Sequence, residues 1–142
     1  MSPTMFLRIA SLIALLQGVG HGLSVVRWGP SRGQEEIAVI EHMKAYAFDF
    51  QGFTRSYWDF FLGYGLMAAF NCMVEAVLFW QLSSTATSSG SRGTPIVVLF
   101  VFANLVHAIL CWNYFFLTPI VLDAAIAVCL GLALIGARPQ AA

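Results

Sequence analysis

The stretch TRSYWDFFLGYGL, residues 54–66, decides how the chain is read. It leaves a polar segment and enters an apolar one, and it sets Asp59 three residues after Ser56. The spacing S-x-x-D fits a capping box, in which an acid satisfies the orphan N–H groups of a helix start. The same carboxylate, placed beside Tyr57, Trp58 and Arg55, also qualifies as part of a site. The apolar run that begins here covers roughly residues 57–82, about the length of helix that crosses a bilayer.

Working outward from this helix, three more runs have that length. The first covers roughly residues 6–26, interrupted by Arg8 and His21; the others cover roughly 96–116 and 119–137. The 142 residues are 59% apolar and only 10% charged, against about 25% charged in an ordinary soluble domain. The expected fold is therefore all-α: a four-transmembrane-helix bundle forming a single integral membrane domain. Trp28, Trp58, Trp80 and Trp112 fall near the predicted span ends, as an interfacial aromatic belt requires. A signal peptide is the rival reading of the N-terminus, but the apolar run continues through LSVV.

The link between the first two spans is long. Its segment QEEIAVIEHMKAYAF places Ile37, Ile40, Met43 and Ala47 on one helical face, which predicts an amphipathic interfacial helix over residues 35–48. The link starts with the breaker WGPSRG and ends with DFQGFTRS. The second link, SSTATSSGSRGT, is a polar tether. The third, near FLTP, is short enough to make the last two spans antiparallel neighbours. The glycines of GVGHG and GYG point to close helix packing.

Four spans put the N-terminus, the second link and the C-terminus on one side. Arg8, Arg92 and Arg138 there face no acidic residue, whereas Arg27, Arg32, Lys44 and Arg55 of the long link are mixed with four acids. This favours cytoplasmic termini in a bacterial inner membrane. The net charge of zero gives no sign of a nucleic-acid partner. The expected partners are membrane lipid, a lipophilic small molecule and further copies of the chain. Cys72, Cys111 and Cys129 lack CxxC spacing and read as small buried hydrophobes rather than disulfides or metal ligands.

Ionisable groups within hydrocarbon are costly and normally face a bundle interior, so they are candidates for function. This chain has His21, Asp59, Glu75, His107 and Asp123, accompanied by Gln17, Asn71 and Asn104. At about 1.5 Å of rise per residue, His21 lies about 10 Å below the long-link side and His107 about 13 Å. Asp59 and Asp123 lie a few residues into their spans from that side. Four ionisable residues from four helices are thus expected in one half of the bundle. Glu75 is turned about 160° from Asp59 on the same helix, which assigns it to a second polar cluster with Asn71.

Three functions fit. In the first, an acid/base pocket serves a lipophilic ligand, with isomerisation or hydration of a sterol- or isoprenoid-like compound as the chemistry. His107 is its acid/base group, with Asp59, Asp123 and His21 as companions. Asn104 is a hydrogen-bond donor, and Tyr57, Trp58, Tyr64, Trp112, Gln17, Asn71 and Glu75 complete the lining. The absence of GxSxG disfavours acyl-enzyme chemistry. In the second, His21 and His107 are axial ligands of haem b in an electron carrier. A metal held by His21, His107 and an aspartate is a variant of it. In the third, the chain is a non-catalytic accessory or transport-related bundle whose polar groups serve assembly.

The motif TRSYWDFFLGYGL within four short membrane helices resembles segments of small four-helix bacterial membrane proteins. At the level of helix count, over the whole chain, the sequence also resembles DoxX-type proteins and the sterol-isomerase-related membrane bundles. That resemblance implies an integral membrane location. It implies no reaction, and no catalytic residue of those bundles is carried over, because fold likeness does not fix function.

Overall fold

The structure, a computed structural model, describes residues 2–27, 29, 33–85 and 93–137. Its elements run α1 (Pro3–Val26), α2 (Gln34–Ala45), β1 (Ala47–Phe50), β2 (Phe53–Ser56), α3 (Tyr57–Thr85), α4 (Thr94–Tyr114) and α5 (Leu117–Gly136). α1, α3, α4 and α5 are each long and apolar enough to cross a membrane. The chain is therefore an all-α integral membrane protein. Trp28, Arg32, Arg92, Arg138 and most of the Ser-rich tether fall outside the described residues.

Two compact units divide the chain. The first comprises residues 1–17 and 72–142, bringing together the larger part of α1, the second half of α3, α4 and α5. These four helical segments form a bundle around Leu7, Ala10, Ala14, Ala76, Phe79, Val97, Ile126, Leu130 and Ala133. Small residues on α1 let α3 approach, and the Ser11 hydroxyl donates to the Ala76 carbonyl oxygen at 2.7 Å. The Phe79 and Phe100 rings meet edge to face at 5.3 Å. Arg8 covers Trp80 with its guanidinium 5.2 Å from the ring centroid, which gives this cation within an apolar helix a partner. Only Phe115 and Phe116 separate α4 from α5, so the two helices run antiparallel as neighbours.

The second unit, residues 18–71, holds the last turns of α1, α2, the hairpin β1–β2 and the first half of α3. The hairpin corrects the expectation for the long link: the helix ends at Ala45, and residues 47–56 pair as two antiparallel strands. Ala47 is thus in a strand rather than on the helical face with Ile37, Ile40 and Met43. Phe50 and Phe53 close a two-residue turn at Gln51 and Gly52, both with positive φ. That backbone suits the twist of the flanking strands, and glycine adopts it without strain. Thr54 Oγ1 donates to the Asp49 carboxylate at 2.7 Å across the pair. The sequence signal was the alternation in AFDF and FTRS around QG.

Gly65 is where α3 meets the end of α1 within this unit. A Cβ built there would stand 2.7 Å from Val25 Cγ2 and 2.9 Å from its Cγ1. Valine is stiff about χ1 and cannot easily withdraw. Gly65→Ala is expected to lower the thermal midpoint in detergent, because overpacking costs about 1–3 kcal/mol against a helix-propensity gain of about 1. Gly63→Ala, where nothing lies within 4 Å, should raise it. Equal midpoints for the two variants would overturn this account of the contact.

Candidate functional site

In the first unit, Asp123 organises the polar interior of the bundle. It is the seventh residue of α5 and only 2% exposed. Both carboxylate oxygens are occupied. Oδ1 accepts a hydrogen bond from Gln17 Nε2 of α1 at 2.9 Å. Oδ2 lies 3.0 Å from His107 Nδ1 of α4, and the Cys111 thiol donates to it at 3.6 Å. A buried carboxylate survives in an apolar slab only when its lone pairs are met, and three side chains from two other helices meet these. His107 and Cys111 reach the same oxygen because four residues of separation put them on one face of α4.

His107 itself is half exposed, whereas Cys111 and Asp123 are buried. With Nδ1 held by Asp123, Nε2 is the ring nitrogen left for another partner. The site lies about 10 Å from the α4–α5 turn, counting about 1.5 Å per residue. Glu75 of α3 adjoins it. Its carboxyl sits beside the Asn104 amide and within electrostatic reach of His107 and Asp123. This replaces the expected pairing of Glu75 with Asn71, which is exposed. Asn104 is buried and gives its Nδ2 hydrogen bond to the Phe100 carbonyl oxygen at 2.9 Å on its own helix. Gln17 Oε1 is the buried side-chain oxygen or nitrogen without a hydrogen-bond partner among the described residues.

The second unit contains the other candidates. Asp59 binds its own helix start: Ser56 N and Ser56 Oγ both donate to Asp59 Oδ2, at 2.8 and 2.9 Å, and Asp59 N donates back to Ser56 Oγ at 3.2 Å. Asp59 is thus a capping residue, the first of the two roles its spacing offered. The first turn of a helix has N–H groups without partners, and a carboxylate three residues in is the nearest acceptor. Tyr57 stacks on Tyr46 with ring centroids 5.7 Å apart and meets Phe48 at 5.2 Å, fastening the hairpin to α3. Trp58 receives Lys44 over its ring at 5.2 Å. Tyr64 lines an open groove with Arg55, Asp59, Phe60, Gly63 and Met67. His21 accepts the Ser24 hydroxyl at its backbone oxygen, 2.8 Å away. In the first unit Trp112 is 73% exposed.

Ser56→Ala is expected to cost about 1 kcal/mol, the usual value of an N-cap hydroxyl, and to raise amide exchange in the first turn of α3. Asp59→Asn should loosen the same turn. Hydrogen exchange by mass spectrometry would locate the change. Protection unaltered over residues 57–60 in both variants would refute the cap.

Cys111 shares a helical face with His107 in the sequence but, as a cysteine in an apolar run, reads there as a packing residue rather than a member of the site. The available signal was the spacing His107-x-x-x-Cys111, which places two donors on one helical face. No family model, no curated protein and no solved structure matches the chain.

Proposed function

We propose that this is a bacterial inner-membrane protein, with both termini in the cytoplasm, whose His107–Asp123 pair moves protons on a bound lipophilic small molecule. The observation that carries this reading is one buried carboxylate holding Nδ1 of a half-exposed imidazole at 3.0 Å, while Gln17 holds its other oxygen at 2.9 Å. A carboxylate in that position fixes the ring and its tautomer, and it stabilises the imidazolium formed when Nε2 takes a proton. In a membrane, a ligand reaches such a group laterally from the acyl chains.

The chemistry that suits a single proton carrier is a shift of a double bond. Nε2 removes a proton from carbon beside the double bond and returns one at its far end, with no net gain or loss of electrons. A sterol- or isoprenoid-like compound has the polarity for this setting. Glu75 and Asn104 add polar groups beside the pair. The orientation follows from Arg8, Arg92 and Arg138 on a side without acids.

Native mass spectrometry of the protein released from detergent tests the proposal. A lipophilic compound should accompany the protein, and incubation in heavy water should place deuterium on its carbon skeleton. A preparation free of bound compound, or one whose compound never gains carbon-bound deuterium, would defeat it. A Soret band in the visible spectrum would replace it with the haem reading.

A further inference from the structure

We infer that His107, Cys111 and Asp123 form a three-ligand site for a divalent cation of the zinc class, with the fourth position open. The inference shares residues with the proposed proton-transfer site but rests on their donor geometry. His107 Nδ1 and Asp123 Oδ2 are 3.0 Å apart, and Cys111 Sγ is 3.6 Å from the same oxygen. One donor atom from each of the three residues lies within 4.8 Å of the others. Tetrahedral zinc, with bonds of about 2.0–2.1 Å to nitrogen and oxygen and about 2.3 Å to sulfur, sets its donors about 3.3–3.7 Å apart. Small side-chain movements therefore convert the hydrogen-bonded cluster into a coordination shell. The i, i+4 pair on α4 is the spacing by which one helix presents two donors to one ion.

Charge and surroundings support the same site. A thiolate and a carboxylate together cancel a divalent cation, so the loaded cluster is neutral, which a low-dielectric slab favours. An imidazole, a thiolate and a carboxylate form a mixed set of borderline softness, which suits zinc and its neighbours better than calcium or magnesium. Gln17 takes Asp123 Oδ1 and leaves Oδ2 for the ion, as an outer-shell partner does. The same Gln17 amide carries the buried oxygen that has no donor among the described residues, and a water on the ion would supply one. Exposure of His107 leaves one side of the site open, the arrangement of catalytic rather than structural zinc.

On binding, the Cys111 thiol gives its proton to solvent, and the neutral imidazole moves its single hydrogen from Nδ1, where it faced Asp123, to Nε2 by exchange with solvent. The His107–Asp123 hydrogen bond is replaced by two bonds to the ion. Without the ion the imidazole is the site's proton-handling group; a bound ion would supply an acidified water instead.

Cobalt(II) titration of the chelator-stripped protein in detergent is the test. The expected result is a sulfur-to-cobalt charge-transfer band with tetrahedral visible bands, all displaced by zinc. Cys111→Ser should remove the charge-transfer band, while Cys72→Ser and Cys129→Ser keep it. Gln17→Leu, which touches no donor atom of the shell, should weaken cobalt binding about 10–100-fold. Circular dichroism of each variant reports whether it has folded. A folded wild-type protein without the band, or a band surviving in Cys111→Ser, would overturn the site. Should cobalt fail to bind while ligand deuteration still needs His107, this inference falls and the proposed function stands. Should cobalt bind as expected while no lipophilic compound is found, the reverse holds.

Discussion

Replacing His107 with glutamine is expected to slow deuterium entry into the bound compound by about 10²–10⁴-fold, the usual contribution of a positioned proton carrier. Glutamine can still hydrogen-bond to Asp123, so the neighbouring helices keep a polar contact at this point. It cannot take up and return a proton near neutral pH, because its amide does not titrate there. The compound should therefore remain in the native mass spectrum of the variant while its deuteration stalls. That split between occupancy and exchange separates a chemical role from a packing role. Undiminished deuteration in a folded His107→Gln protein would remove the imidazole from the mechanism.

Asp123→Ala should give the largest loss of stability among single substitutions in the cluster. The carboxylate accepts from Gln17, His107 and Cys111, and it is almost wholly enclosed. Truncation strands the Gln17 amide and the Cys111 thiol in an apolar interior, and an unmet buried donor costs about 1–3 kcal/mol. His107, half exposed, can turn outward and adds less. Asp123→Asn keeps the volume and one accepting oxygen, so its loss should be smaller. It cannot restore proton handling, because an amide does not stabilise an imidazolium as a carboxylate does. Thermal unfolding in detergent, read alongside deuteration, checks both halves. Alanine at 123 with the wild-type midpoint would mean that the hydrogen bonds of Asp123 contribute nothing net to stability.

The membrane helices were legible because their signal is local: length, apolar composition and the spacing of breakers. The capping box was legible for the same reason, since Ser56 and Asp59 are three residues apart. His107 and Asp123 were both singled out by cost, as ionisable groups within apolar runs. Estimated depth then placed them in the same half of the spans. The hairpin was missed because QG between two aromatic tetrapeptides competes with a helical pattern that runs on past Ala45. Glu75 was given the wrong neighbour because rotation about one helix says which residues share a face, not which helix lies opposite.

By itself, the sequence determined the class of protein, the four long helices and the carboxylate that starts α3, for these follow from hydropathy and from contacts three or four residues apart. Only the tertiary structure decided which polar groups meet. Gln17 and Asp123 are 106 positions apart along the chain, yet hydrogen-bonded. The rotation of each helix about its axis chooses such partners, and that rotation is set by how the small and large apolar side chains of all four segments pack together. It made Asp123 the centre of a cluster and turned Cys111 from a packing residue into a donor.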